Sequence, residues 1–88
     1  AHLAPSHVLV IPKGQYVSMD DFTARASDAE AAALLRAIGH IAREQGLAET
    51  GYRVIANCGP DAHQEVMHFH IHILGGRRLG GMLKRVES

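Results

Sequence analysis

Cysteine is nearly missing from this sequence: Cys58 is the only one among 88 residues. No intramolecular disulfide can form, which excludes a disulfide-stapled secreted scaffold. The ordinary reading of such a lone thiol is a buried, inert side chain. An excess of charge of either sign is missing too, since nine basic residues balance nine acidic ones. That balance removes the long-range attraction on which polyanion binders rely, although a small charged ligand needs only a local field. Long apolar runs are missing as well. None approaches the roughly 20 residues of a membrane-spanning helix. The opening Ala1-His2-Leu3-Ala4-Pro5 has no basic segment followed by an apolar one, so it does not read as a signal peptide. It has no initiator Met, and a processed or truncated chain is expected. The default compartment is the cytoplasm.

The 88 residues, 47% apolar and 20% charged, suit one globular domain over 1–88, with 76–88 as a tail. A domain this short buries only about 60–65% of the surface its unfolded chain would expose. The core is therefore thin, and a partner subunit would add to its stability.

Ser6 to Ile11 is β-branched and apolar and is stopped by Pro12, which predicts a buried strand. Lys13-Gly14 is a turn, and Tyr16 to Phe22 is a connecting stretch containing a short turn. Ser27-Asp28-Ala29-Glu30 fits a capping box. Ala31, Leu34, Leu35, Ile38, Ile41 and Ala42 then recur at helical spacing, and Gly46 is a plausible stop. This predicts a helix over 28–45, with an alanine-rich face shallow enough for close packing. Tyr52 to Ala56 reads as a second strand, Asn57 to Asp61 as a loop and Val66 to Leu74 as a third strand. Strands around one long helix, without regular βαβ alternation, argue for an α+β fold with an antiparallel sheet.

Seven histidines are many for this length, and three stand at His68, His70 and His72. On a strand, alternate side chains share a face, so the three imidazoles are expected on one side, about 6.8 Å between neighbours. Phe69, Ile71 and Ile73 then point into the core. Imidazoles this close cannot all be charged, so at least one should stay neutral near pH 7. A neutral ring offers a lone pair; a protonated neighbour offers a proton and positive charge. That combination suits attack on phosphorus. Two other readings stand beside it. A histidine on a strand is ordinarily structural, and a His-x-His pair with a third histidine can bind zinc. No nearby Cys, and no acid other than Glu65 or Asp61, completes an evident zinc ligand set.

The run His68-Phe69-His70-Ile71-His72-Ile73-Leu74 resembles the signature of the histidine triad family, His-φ-His-φ-His-φ-φ with φ apolar. Gln64 stands four residues before the first histidine, where that family has it. Gly75-Gly76-Arg77 resembles the Hint branch, the histidine triad nucleotide-binding proteins. Ala4-Pro5-Ser6-His7-Val8-Leu9-Val10-Ile11-Pro12-Lys13, Gly51-Tyr52-Arg53-Val54 and Asn57 match further stretches, so the resemblance covers about residues 4–78.

The resemblance implies hydrolysis of purine nucleoside 5′-monophosphoramidates and related adenylates through a covalent nucleotidyl-histidine. His70 would be the nucleophile, and His72 would contact the phosphate. His68 would lie behind the nucleophile, and His7 would extend the imidazole chain. Asn57, His63, Gln64, Glu65 and backbone N–H groups around 63–65 would surround the phosphate and ribose with His70 and His72. No metal or other cofactor is implied. The partners implied are a purine nucleotide and a second copy of the chain, with the long helices meeting, the sheet continuing across a homodimer and the tail reaching the partner's site. Neither nucleic acid nor membrane is implied. His2 and His40 match no family position. Glu65 stands where Hint proteins carry a hydroxyl residue; an ionised carboxylate donates no hydrogen bond, so it either repels phosphate or favours a cationic leaving group. His63 replaces a small residue and narrows the phosphate path. The family's front segment, which supplies a hairpin and part of the base and ribose pocket, would precede Ala1. A nucleotide-binding module with little turnover is the non-enzymatic alternative. The Gly75–Gly81 stretch lacks the Gly-Lys-Ser/Thr ending of a phosphate loop. Arg77, Arg78, Lys84 and Arg85 read as a solvated basic tail, without aromatic residues to stack bases.

Overall fold

The most deeply buried strand takes the middle of the sheet. In the computed structural model, which describes residues 5–82, strand β3 (Ile71–Gly75) lies between β1 (Ser6–Val10) and β2 (Tyr52–Ile55). Both pairings are antiparallel, with Ile73 opposite Val8 on one side and Val54 on the other. Ile71, Ile73 and Leu74 are all buried, while half-buried His72 interrupts the apolar pattern on the face that carries Leu74. Helix α1 (Met19–Arg25) and helix α2 (Asp28–Glu44) complete an α+β fold.

Helix α2 begins and ends where the chain directs it. The Ser27 hydroxyl accepts from the Glu30 N–H while the Glu30 carboxylate accepts from the Ser27 N–H, the reciprocal pair of a capping box. At the other end Gly46 has φ 73°, the Leu47 N–H donates to Ala42 C=O and the Gly46 N–H donates to Arg43 C=O. That is a Schellman closure, for which glycine carries no Cβ penalty. The stripe Leu34, Ile38 and Ala42 joins Val10, Phe22, Phe69, Ile71 and Ile73 in one core.

Five expectations need correction. β1 is not a buried strand: it lies at the sheet edge, Leu9 and Ile11 are exposed and only Val10 is buried. The stretch from Tyr16 to Phe22 is not merely a turn, because α1 starts within it: the Ser18 hydroxyl accepts from the Asp21 N–H and caps the helix. The fold thus has two helices rather than one. Leu35 is 72% exposed, since the buried stripe of α2 is narrower than its apolar pattern. Cys58 is exposed in the loop after β2, where no element packs over it among the described residues. The third strand does not begin at Val66 but at Ile71, because β1 ends at Val10 and offers residues 66–70 no ladder partner. His68 and His70 therefore precede the strand, and only His72 belongs to it. Alternation of burial nonetheless continues, with Phe69 buried between half-buried His68 and His70.

What holds residues 68–70 is the segment before α1. The Phe69 N–H donates to Tyr16 C=O at 2.8 Å. The Phe69 ring meets Phe22 at 5.1 Å, and Phe22 meets Tyr16 edge-on at 4.9 Å. Tyr16 donates its hydroxyl proton to Glu30, and Arg25 bonds Asp21 and Gln15 C=O. The Arg25 guanidinium, helped by the Val17 N–H, holds the Asp21 carboxyl at about 2.

Candidate active site

Antiparallel pairing sets His7 of β1 opposite Leu74 and His72 of β3 opposite Leu9, so the two histidines are diagonal neighbours on one sheet face. Their rings lie 5.1 Å apart, and His7 Nε2 is 2.8 Å from His72 Nδ1. One proton is shared there, and either ring can carry it. The His70 ring stands edge-on to His72, also at 5.1 Å. Its Nδ1 is 2.8 Å from the His68 carbonyl oxygen. A carbonyl only accepts, so Nδ1 carries the proton. In the neutral ring this leaves Nε2 with a bare lone pair.

Asn57, His63, Gln64, Glu65, Val66, His70 and His72 line one cavity of about 190 Å³. The geometry thus gathers Asn57, His63, Gln64 and Glu65 with His70 and His72, while His7 stands behind His72. His68 borders a different space, an apolar groove shared with Leu9, Ile11, Val66 and His70. Its Nε2 is buried without a hydrogen-bond partner among the described residues. Of the N–H groups at 63–65, that of His63 donates to Pro60 C=O and that of Gln64 to Gly59 C=O; only Glu65's makes no bond among the described residues. His63 itself sits at φ 58°, the left-handed region, after a 3-10 turn at Pro60–Ala62. Sequence reasoning did not single out Val66, whose apolar side chain looked like strand material, or the Tyr16 and Val17 carbonyls. Backbone acceptors leave no residue-type signal.

The other sequence candidates lie elsewhere. His40 is exposed on α2 and pairs with Glu44 at 3.2 Å. A larger open concavity, about 540 Å³, lies at the opposite end of β3 against Thr50, Gly76, Arg77 and Arg78. No histidine lines it among the described residues. Arg77 and Arg78 are exposed, and Arg53 ties the tail by donating to Gly80 C=O. Residues 1–4, with His2, and residues 83–88, with Lys84 and Arg85, lie outside the described residues. Among the described residues no group of three or more His, Cys, Asp or Glu side chains stands in metal-binding geometry.

Burial pushes the His72 imidazole below its ordinary 6.5, and the neighbouring His70 and His7 push it the same way. The folded chain therefore takes up the His72 proton later than the unfolded chain as pH falls. The stability this contributes is complete above 6.5 and is lost as pH drops below it and through the folded-state value. Urea unfolding between about pH 7 and about pH 5 should show wild type losing stability more steeply than His72→Gln. Parallel curves would remove the buried neutral ring as the cause.

A profile of the HIT domain matches residues 3–79. The chain is 62% identical over 82 residues to an uncharacterised 13.2 kDa HIT-like protein of Azospirillum brasilense, covering 93% of this chain and 67% of that protein. It is 41% identical over 80 residues to the purine nucleoside phosphoramidase of Escherichia coli K12, covering 91% of this chain and 66% of that one. A histidine triad protein from Clostridium difficile superposes with a TM-score of 0.80 at 42% identity, over 94% of this chain and 71% of that structure. The chain belongs to the HIT domain family. It spans about two thirds of the length of these curated relatives.

Proposed function

We propose that this chain hydrolyses purine nucleoside 5′-monophosphoramidates and related adenylates through a nucleotidyl-histidine on His70. The observation that carries this reading is the His70 Nδ1–H donated to His68 C=O, which in the neutral ring leaves the lone pair on Nε2 of a residue that lines the cavity. The 41% identity to a purine nucleoside phosphoramidase supports the same substrate class.

In the first step His70 Nε2 attacks the α-phosphorus as the P–N bond to the amine breaks, and the departing amine takes up a proton from solvent. In the second, water attacks the same phosphorus and loses a proton to solvent, the P–Nε2 bond breaks with its electron pair returning to the imidazole, and the nucleoside monophosphate leaves. His72 assists in the tautomer that carries its proton on Nε2. That tautomer forms when His7 Nε2–H donates to His72 Nδ1, and it presents an N–H to a phosphate oxygen. Asn57, His63 and Glu65 complete the cavity around the phosphate and leaving group. Incubation with an adenosine phosphoramidate tests the reading: stoichiometric release of AMP and amine is expected. Binding of AMP without turnover would favour the non-enzymatic module instead.

Glu65 sets the leaving group in this proposal. Its carboxylate lines the cavity with the reacting histidines and offers no donor. Glu65→Ser is expected to lower kcat/KM for substrates with a cationic amine by roughly threefold to tenfold relative to neutral alkylamine substrates, the scale of a partly screened charge pair. Equal changes for both substrate sets would reject this role.

The working form in this proposal is a cytoplasmic homodimer. Exposed Leu35 on α2 and exposed Val54 on edge strand β2 offer apolar surface that a second copy could cover. Sedimentation equilibrium showing a monomer at micromolar concentration would reject the dimer.

A further inference from the structure

Gln64 lines the cavity beside His70 and His72, where a carboxamide is readily taken for a substrate ligand. Its bonds say otherwise. The side-chain oxygen accepts from the Gly59 N–H at 2.9 Å. The side-chain nitrogen donates to Val17 C=O at 2.6 Å and to Val66 C=O at 3.1 Å. The partners dictate this orientation: a peptide N–H only donates and the two carbonyls only accept. Both amide hydrogens are spent, so no donor remains for a phosphate. The Gln64 backbone N–H donates to Gly59 C=O at 3.0 Å, which closes the 59–64 turn from both sides.

Val17 gives this closure its consequence. The residue before it, Tyr16, accepts the Phe69 N–H. Phe69 adjoins His70, which lies ahead of β3 and receives no support from the sheet ladder. One short backbone segment, 16–17, thus holds the cavity wall on one side and the nucleophile's neighbour on the other. Resting on the phosphoramidase reading, we propose that Gln64 is a positioning residue. Its carboxamide fixes the 57–66 wall relative to His70 and makes no contact with substrate.

The test pairs Gln64→Met, similar in length but without hydrogen-bonding groups, with Gln64→Glu, which keeps the acceptor for Gly59 and loses both donors. Amide exchange is measured on the ligand-free protein, and saturating rate and KM on an adenosine phosphoramidate. In Gln64→Met, Gly59 exchange should speed at least tenfold and kcat should fall at least tenfold, with KM within about threefold of wild type. In Gln64→Glu, Gly59 protection should be largely retained while kcat still falls. A merely structural residue would lower thermal stability without moving kcat. A direct ligand would raise KM and leave Gly59 exchange in the free protein untouched. Either result overturns the proposal. If wild type turns over no phosphoramidate, the reaction assigned above fails, and Gly59 exchange still decides whether the clamp exists.

Discussion

His70→Ala is expected to abolish turnover, with a loss on the order of 10⁴-fold or more, the scale seen when a covalent nucleophile is removed. In the proposed tautomer His72 carries its proton on Nε2 and offers no lone pair there, and His68 borders the apolar groove rather than the cavity. The fold should survive, because His70 is only half-buried, lies outside the ladder and bonds no more than the carbonyl of nearby His68. His70→Gly should behave alike. Rapid acid-free quenching after mixing with labelled phosphoramidate should trap an acid-labile nucleotidyl protein in wild type and none in either variant. Label retained in the variants would move the nucleophile to another side chain.

Ile73→Ala is expected to cost about 2–5 kcal/mol, the range for removing a buried branched side chain from a core. Ile73 has 0% of its surface exposed, sits at the centre of β3 and packs in the cluster that joins sheet to helix. A small domain has only about 5–15 kcal/mol in total, so this one change removes much of the margin. Ile73→Val should cost about 0.5–1.5 kcal/mol. Urea unfolding measures both. A loss below about 1 kcal/mol for the alanine variant would mean that β3 is not the core strand described.

Strong local signals were legible in the sequence. Ser27 and Glu30 marked the start of α2, Gly46 its end, and Pro12 the limit of β1; the structure agrees within a residue or two. Helix α1 escaped notice because one buried residue, Phe22, gives no period to read, although Ser18 and Asp21 carried a cap signal. The triad segment was misread for a different reason. Period-2 alternation reports which side chains are buried, not which backbone groups are paired, and at 68–70 the two part company. Leu35 shows the same gap on a helix: spacing gives the direction of the apolar stripe but not its width.

At the site, the histidines of the cavity were visible as residue types, and their proton arrangement was not. The His68 carbonyl that dictates the His70 tautomer has no signature in the chain. Gln64 was visible as a cavity residue, yet its partners are backbone groups of Val17, Gly59 and Val66. Which way a carboxamide faces depends on what the rest of the fold leaves unpaired.

The pairing of β1 with β3 joins His7 to a residue 65 positions later. Contacts so distant in the chain form late, because the loop between them must close first. On the ribosome, β1 leaves the tunnel long before its neighbour exists, and α2 can fold while the imidazoles are still apart. The His7–His72 pair therefore cannot form until synthesis has passed β3.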